Sequence, residues 1–197
     1  MTSATRSHSK VLYFGDSITV GERLIHPEVE RWMARASATL GVLELNEGRG
    51  GRPSSALDEF RTILDASSGN QQIVQLVIAL GANDARSDAP DVAATTAKNV
   101  RQIIEWTRIA APTWNIVVCS PYNINRAYLE RKEIADLRER NLLEIGKALQ
   151  KVAEKNGCRY VDFLKSLPPE SLTEDGVHPN TLGHAALAAT FIAKYCG

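Results

Sequence analysis

The chain has 197 residues, of which 44% are hydrophobic and 23% charged, a composition typical of a globular domain with a substantial core. Lys plus Arg and Asp plus Glu number 23 each, and this balance argues against binding to nucleic acid or to an anionic membrane surface. No apolar segment approaches the roughly 18 residues of a membrane span, and the apolar run after the polar first ten residues is too short for a signal peptide.

The cysteines predict a reduced environment. Cys119, Cys158 and Cys196 are an odd number without the spacing of metal ligands, which is typical of free thiols in a cytosol. Because the chain starts with Met and shows no targeting segment, we expect a cytoplasmic protein. Residues 1–9 are predicted to be a polar tail, and residues 10–197, without repeat or linker, a single domain.

The first part of the chain alternates between strand-like and helix-like segments. The apolar residues 11–14 predict a buried strand that stops at the turn signal Gly15-Asp16-Ser17. Residues 31–40 fit a helix with apolar side chains four apart, and residues 42–45 fit a second strand. After a glycine-rich loop, Ser54-Ser55 is expected to begin another helix, because serine caps helices and acidic residues follow it.

The rest of the chain continues this alternation. Residues 73–80 are almost continuously apolar, which is typical of a strand covered on both faces. Residues 129–155 form a long amphipathic segment that ends at Asn156-Gly157, a helix C-cap signal. The remaining elements are predicted helices at about 91–109 and 182–195 and predicted strands at 116–119 and 159–161.

Five strands separated by helices predict a parallel sheet with helices on both faces. In such a sheet the strand-to-helix loops all emerge at one edge, where open α/β sheets bind their ligands. The loops that share this edge begin at Gly15, Asn46, Gly81, Ser120 and Asp162. Their side chains are therefore candidates for a common site.

A serine and a histidine on this edge suggest nucleophilic catalysis. Ser17 follows the first strand directly, and a catalytic serine needs a base and an acid that orients the base. In Asp175-Gly176-Val177-His178 the acid can reach one ring nitrogen of the histidine and leave the other free for a nucleophile. The structural alternative for Ser17 is a polar turn or helix cap. The other histidines, expected to be structural, are His8, His26 and His184.

Two further loops on the edge carry donors suited to a developing oxyanion. A glycine in Gly50-Gly51-Arg52 lets a backbone N–H approach a ligand closely. In Gly81-Ala82-Asn83-Asp84, the side-chain amide of Asn83 is a good oxyanion donor. The structural alternatives are an ordinary glycine turn and a capping Asx turn, and Asp84 is expected to have a structural role.

These motifs resemble those of SGNH hydrolases of the GDSL esterase/lipase superfamily. Gly15-Asp16-Ser17 is similar to the first block of the family, and the glycine of GRGGRPS to the second. Gly81-Ala82-Asn83-Asp84 is similar to the third, Gly-x-Asn-Asp, and Asp175-Gly176-Val177-His178 to the final Asp-x-x-His block. The four blocks occur in the family's order and span residues 15–178.

The resemblance implies both a fold and a mechanism. The implied fold is α/β, a three-layer α/β/α flavodoxin-like arrangement around a five-stranded parallel sheet of order 2-1-3-4-5. Ser17 is implied as the nucleophile, His178 as the base and Asp175 as its partner, in ester hydrolysis through an acyl-enzyme. The backbone N–H groups of Ser17 and Gly51 and the side chain of Asn83 are implied as the oxyanion hole.

The second block leaves two glycines open for the oxyanion hole, Gly50 and Gly51. Gly51 is preferred, because glycine–arginine followed by small hydroxyl residues recurs in arylesterase-like members. No metal or organic cofactor is implied, since side chains and backbone amides complete the chemistry. The expected partner is a small-molecule ester, with neither nucleic acid nor membrane involved.

The substrate and two other functions stay open. Short loops without an apolar lid favour short acyl chains, and acetyl esters of carbohydrates are one candidate class. Arg49, Arg52 and Arg86 lie in or beside these loops, where they bind an anionic group or, as is commoner, are solvated or paired with carboxylates. The alternatives are an acyltransferase with the same triad and a non-enzymatic flavodoxin-like module for FMN or a phosphate.

Overall fold

The structure is a computed structural model that describes residues 9–129 and 131–196. The polar tail predicted at residues 1–9 lies outside the described residues except for Ser9. The described residues form one sheet with helices on both of its faces.

Within residues 9–129 and 131–196 the sheet has five parallel strands in the order β2-β1-β3-β4-β5, as the family resemblance implies. The strands are β1 (Lys10–Gly15), β2 (Leu43–Gly48), β3 (Ile73–Ala79), β4 (Asn115–Cys119) and β5 (Arg159–Val161). Gly15 pairs with Gly48 on one side and with Ala79 on the other, and Ala79 pairs with Cys119. The carboxyl ends of the strands are therefore in register at one edge.

Seven α-helices of the described residues follow or precede these strands. They are α1 (Ser17–Val20), α2 (Pro27–Glu30), α3 (Trp32–Leu40), α4 (Leu57–Ser67), α5 (Val92–Ala110), α6 (Lys132–Lys155) and α7 (Thr181–Cys196). Short 3-10 turns lie at Asp84–Arg86, Arg126–Tyr128 and Pro169–Ser171. Among the described residues, none of the helices has both the length and the apolar character needed to cross a bilayer.

The two faces of the sheet bury separate cores, because successive side chains of a strand point to opposite faces. Leu12 and Phe14 of β1 pack with α4, α5 and α6 on one face. Val11 and Tyr13 pack with α3 and α7 on the other. These four residues of β1 are each 1% exposed, so β1 is a buried interior strand that leads directly to the edge of the sheet.

Two predicted helix starts were wrong. Ser54-Ser55 does not cap a helix: α4 begins at Leu57, and the N–H and hydroxyl of Ser54 both donate to the carboxylate of Asp84. This contact over thirty residues of chain outcompetes the local cap and gives Asp84 the structural role expected of it. The segment predicted as helical from residue 129 begins instead at Lys132, after a 3-10 turn.

Candidate active site

Ser17 stands at the carboxyl end of β1, as the first residue of the short helix α1. Asp16 ends the strand and caps the helix, since its Oδ1 accepts a hydrogen bond from the Ile18 N–H at 3.0 Å. Gly15 permits this close connection, because a Cβ there would lie 2.0 Å from Thr19 Oγ1. The strand-to-helix turn therefore fixes the Ser17 side chain at the edge where the strands end.

His178 and Asp175 complete a hydrogen-bonded chain with Ser17. The Ser17 Oγ lies 3.0 Å from His178 Nε2, and His178 Nδ1 lies 2.7 Å from Asp175 Oδ2. The other carboxylate oxygen, Asp175 Oδ1, accepts hydrogen bonds from the backbone N–H groups of Val177 and His178 at 2.8 and 2.9 Å, and from Thr173 Oγ1 at 2.9 Å. The structure thus brings together the three side chains predicted from the sequence.

The hydrogen bonds to Asp175 keep its carboxylate ionised. Partial burial raises the pKa of Asp175, but the donors from His178, Val177 and Thr173 outweigh burial and hold this pKa well below its usual range. A permanently ionised Asp175 fixes a proton on His178 Nδ1, which leaves Nε2 free to accept the proton of the Ser17 hydroxyl.

The turn that carries Asp175 and His178 is anchored at three points. Gly176 has a left-handed φ of 67°, and its carbonyl oxygen accepts a hydrogen bond from the Asn125 N–H at 2.8 Å. Tyr122 Oη donates to the Val177 carbonyl oxygen at 2.8 Å. An antiparallel bridge joins Leu172 to Pro179 across the base of the turn. Asn125 and Tyr122 hold the turn from outside and the bridge closes its base, so together they position His178 relative to Ser17.

Asn83 lies beside the cap of α1. Its Nδ2 donates to Asp16 Oδ2 at 3.3 Å and to the Arg52 carbonyl oxygen at 3.2 Å. Both distances are at or beyond the long end of the usual N–H···O range of about 2.7–3.2 Å. The amide is therefore oriented by two weak bonds that a stronger acceptor can replace.

Arg52 ties the loop after β2 to the end of β1. Its guanidinium donates to the carbonyl oxygens of Gly15, at 2.7 Å, and of Glu47, and it pairs with Glu59 at 3.2 Å. Arg49 also pairs with Glu59, at 2.8 Å. Arg49 and Arg52 are therefore paired with a carboxylate, as expected, although Glu59 belongs to helix α4 and not to a loop.

Gly50 and Gly51 lie in the exposed turn held by the bond from the Arg52 N–H to the Arg49 carbonyl oxygen at 3.2 Å. Gly51 has a left-handed φ of 69°, a conformation that favours glycine. Within residues 9–129 and 131–196, the N–H groups of Gly50, Gly51 and Ser17 form no hydrogen bond. All three are therefore available to an oxygen atom of a ligand.

Asp16 is an unusual neighbour for a nucleophile because it is 2% exposed. Burial raises its pKa to about 7, against the opposing effects of the Ile18 N–H and of the nearby His178 ring. A buried carboxyl group that changes charge near neutral pH therefore touches the amide of Asn83.

The other histidines lie elsewhere. His8 is outside the described residues. The side chain of His26 is 67% exposed, with Nδ1 3.8 Å from Glu28 Oε1. His184 is fully buried on α7, where its Nδ1 accepts a hydrogen bond from the Trp32 N–H at 3.1 Å. Of the histidines in the described part of the chain, only His178 contacts Ser17.

A surface cavity of about 260 Å³ opens next to this chain of side chains. Ser17, Asn83 and His178 line it together. Its apolar walls come from Ile18, Ala82, Leu129 and Val177, and two arginines, Arg86 and Arg138, also line it. Across residues 9–129 and 131–196, no cluster of three or more His, Cys, Asp or Glu side chains has the arrangement of a metal site.

Most of the chain, residues 13–186, matches the GDSL-like Lipase/Acylhydrolase family. The chain belongs to this family. As a GDSL-like acylhydrolase the protein is a carboxylic ester hydrolase, and its substrate is a small-molecule ester. The resemblance inferred from the four motifs is confirmed, and the alternative of a non-enzymatic ligand-binding module is wrong.

Solved structures of several esterases share the fold of this GDSL-like acylhydrolase. Est24, a carbohydrate acetylesterase from Sinorhizobium meliloti, is 19% identical with a TM-score of 0.79, over 95% of this chain and 98% of that chain. The M. smegmatis aryl esterase is 18% identical with a TM-score of 0.78, over 95% and 98%. A catalytic mutant of Axe2, an acetylxylan esterase from Geobacillus stearothermophilus, is 22% identical with a TM-score of 0.72, over 94% and 93%. A search of curated proteins finds no match.

Sequence reasoning missed two residues at the GDSL-like site. The contact of Asp16 with Asn83 joins loops 67 residues apart, and no local pattern signals it. Arg138 did leave a signal: it stands in the stripe of α6 whose other members, Ala135, Leu142 and Ile145, are buried. A charged residue at a core position of an amphipathic helix marks a place where that helix faces a cavity instead of the core.

Proposed function

We propose that this GDSL-like acylhydrolase is a serine esterase that hydrolyses short-chain acyl esters, with acetyl esters of carbohydrates as one class, through an acyl-enzyme. The observation that carries the proposal is the continuous chain from Ser17 Oγ through His178 to Asp175, with contacts of 3.0 and 2.7 Å. A serine, an imidazole and an ionised carboxylate in this order are the parts of a serine hydrolase.

Acylation begins with attack of Ser17 Oγ on the ester carbonyl carbon. His178 Nε2 removes the hydroxyl proton as the C–O bond forms, and Asp175 stabilises the resulting imidazolium. The tetrahedral intermediate collapses when His178 gives this proton to the oxygen of the leaving alcohol. The acyl group is then bound to Ser17 as an ester and the alcohol departs.

The negative charge on the carbonyl oxygen is stabilised by three donors in this proposal. The N–H groups of Ser17 and Gly51 carry no other hydrogen bond within the described residues, and the Asn83 amide has only its two long bonds. Donors that are already oriented strengthen as charge develops, which is the condition for selective stabilisation of the transition state. Gly51 is preferred to Gly50 on the motif and on its left-handed backbone.

Deacylation repeats these steps with water. His178 accepts a proton from a water molecule that attacks the acyl-Ser17 carbonyl, and it returns the proton to Ser17 Oγ as the acid leaves. The solvent-facing cavity beside Ser17 admits this water. The same acyl-enzyme gives acyl transfer where an alcohol takes the place of water, so the product mixture tests the hydrolase assignment.

The size of the acyl group follows from the cavity walls. Among the described residues only four apolar ones line the cavity, which also carries two arginines and the polar catalytic groups. Each methylene contributes about 0.8 kcal/mol only where an apolar wall covers it, so this cavity favours short chains. The names of Est24, a carbohydrate acetylesterase, and Axe2, an acetylxylan esterase, support acetyl esters of carbohydrates as a substrate class.

The test is active-site labelling combined with paired variants. An alkyl phosphonate ester should label Ser17 alone, and Ser17→Ala should reduce hydrolysis of 4-nitrophenyl acetate by several orders of magnitude. Ser55→Ala is the matched control, because Ser55 is exposed on a loop of the same edge. Labelling of another serine, with Ser17→Ala still active, would overturn the assignment.

Two further measurements test the role of His178 as the base and the choice of water or an alcohol as the acceptor of the acyl group. His178→Ala should lose nearly all activity, and His26→Ala, which changes an exposed histidine, should keep it. Adding methanol and measuring the partition between acetic acid and methyl acetate separates hydrolysis from transfer. A product that is mainly methyl acetate at low methanol concentration would favour an acyltransferase.

A further inference from the structure

Two arginines line the catalytic cavity together with the reacting groups. Arg86 comes from the 3-10 turn after β3, three residues beyond Asn83. Arg138 comes from the buried stripe of α6. They approach the cavity from separate elements, and both line it together with Ser17.

These two guanidinium groups have no partner in the part of the chain that the structure describes. Other arginines near the sheet edge pair with carboxylates: Arg49 and Arg52 with Glu59, and Arg126 with Asp136 and Glu139. Neither the Arg86 side chain nor the Arg138 side chain forms an ion pair or a hydrogen bond with residues 9–129 or 131–196, although the backbone N–H of Arg86 donates to the Asn83 carbonyl oxygen.

The lack of a partner is more unfavourable for Arg138 than for Arg86, which is exposed to solvent. Its Nε is buried and has no hydrogen-bond acceptor among the described residues. Burial lowers the pKa of Arg138, and the positive charge of Arg86 lowers it further. A buried donor without an acceptor and two like charges at one cavity are both unfavourable, and a bound anion relieves both.

The nearby carboxylate does not supply this anion. Asp175 is close enough to favour the charged form of Arg138, but its two oxygens already accept bonds from His178, Val177 and Thr173. Arg23 Nε also lies 3.8 Å from Asp175 Oδ2. Asp175 is thus occupied by other donors, and an oxygen atom of a ligand in the cavity is the acceptor that suits Arg138.

We propose that the ester substrate carries an anionic group, a carboxylate or a comparable oxyanion, that Arg86 and Arg138 bind while Ser17 attacks the ester. Arginine suits this role because its planar donors match the oxygens of a carboxylate and remain charged. This inference rests on the proposed serine esterase function, and it makes Arg86 and Arg138 specificity-determining residues. The anionic group belongs to the acyl part or to the alcohol part of the substrate.

Two pairs of substrates distinguish these sources. In the acyl pair, 4-nitrophenyl hemisuccinate and 4-nitrophenyl butyrate have acyl chains of similar length, and only the first is charged. In the alcohol pair, 3-acetoxybenzoate and its methyl ester differ by one negative charge at the same acetyl ester. The quantity measured is the ratio of kcat/KM for the anionic and the neutral member of each pair.

The expected result is a ratio of about ten or more in one pair, which identifies the side that carries the anion. Arg86→Gln and Arg138→Gln should each lower that ratio by about tenfold. Arg138→Lys, which keeps the charge but not the planar donors, should lower it less. Arg140→Gln is the control, because Arg140 is exposed on the same helix and outside the cavity, and it should leave the ratio unchanged.

Other outcomes overturn the inference and leave the esterase proposal standing. Wild-type ratios near or below one in both pairs would show that the cavity has no preference for an anion. Equal losses on the charged and the neutral ester in both arginine variants would show that the arginines act through Asp175. Since Arg86 is exposed, its variant should fold even where Arg138→Gln does not. Failure of the esterase proposal is separate: neither neutral ester would then be hydrolysed in a Ser17-dependent way.

Discussion

His184 makes the free energy of unfolding of this protein depend on pH, and a single substitution at this position can measure its contribution. Its ring is fully buried between α7 and α3, and Nδ1 accepts the Trp32 N–H at 3.1 Å. The ring proton must therefore reside on Nε2, which has no partner among the described residues. Burial, helped by the positive charge of Arg35, lowers the pKa of His184 from 6.5 to about 4.

The magnitude follows from this depressed pKa. Between pH 6.5 and about 4 the unfolded chain binds a proton at this position and the folded chain does not, so acid favours unfolding. A tenfold change in proton affinity corresponds to about 1.4 kcal/mol, so the contribution of His184 is about 3 kcal/mol. That contribution is complete above pH 6.5 and is lost as the pH falls to about 4.

Asp16 acts in the opposite direction over the same pH range. Its pKa is raised from 3.8 to about 7, so the folded chain keeps a proton that the unfolded chain has released. Folding is thereby favoured as the pH falls from about 7 to 3.8, and the pH dependence of the wild type alone mixes the two effects. A variant of His184 that retains Asp16 separates them.

His184→Asn is that variant, because its Oδ1 can accept the Trp32 N–H and it does not titrate. Urea unfolding followed by far-ultraviolet circular dichroism gives the free energy of unfolding of both proteins at pH 7 and pH 4. We expect the difference between wild type and variant to change by about 3 kcal/mol between these pH values, in favour of the variant in acid. His26→Asn, at an exposed position, should show no such change. A pH-independent difference for His184→Asn would refute the reasoning.

Further predictions concern the active site. Asn83→Ala should raise the barrier by about 3 kcal/mol, mainly through kcat, and an effect on KM alone would show that Asn83 binds only the ground state. Asp16→Asn should also lower kcat, because the NH2 group of the new amide must face another donor, either the Ile18 N–H or the Asn83 NH2. An unchanged kcat would show that Asp16 does not help to orient Asn83. Gly176→Ala should abolish activity, since its φ is 67° and the added Cβ would lie 2.5 Å from the carbonyl oxygen of Asn125. Gly157→Ala, at a φ of 60° with open space around it, should cost only about 1 kcal/mol of stability, and equal effects of the two glycine variants would count against this account. Acetyl to butyryl esters should have a higher kcat/KM than esters of about ten carbons, and a steady rise into long chains would overturn the short-acyl assignment.

The fold was predictable because its main signals are local. The apolar run that became β3 and the amphipathic stretch that became α6 can each be identified within a short window. The order of the strands came instead from the family resemblance, since many orders satisfy the same alternation. The start of α4 was mispredicted, because the partner of Ser54 is Asp84, thirty residues further along the chain.

The contacts of the active site also differ in whether they are local or join distant parts of the chain. The contact of Asp175 with His178 spans three residues, and the sequence motif alone predicts it. The contact of Ser17 with His178 spans 161 residues and required the topology of the sheet and the family motifs. The bond from Asn83 to Asp16 and the place of Arg138 in the cavity depend on how separate loops and helices pack, and sequence spacing does not encode that packing.

The wide separation of Ser17 from His178 also sets when this enzyme can begin to work during its synthesis. A ribosome makes Ser17 before strands β2 to β5, completes the fifth strand at Val161, and only afterwards adds the turn with Asp175 and His178. A nascent chain that already holds every strand of its sheet therefore still lacks the His178 imidazole that activates Ser17. Truncated products that stop between Val161 and Asp175 contain the whole sheet sequence but neither Asp175 nor His178, so they should not hydrolyse esters. The serine therefore becomes an active nucleophile only after the turn that carries His178 has been made.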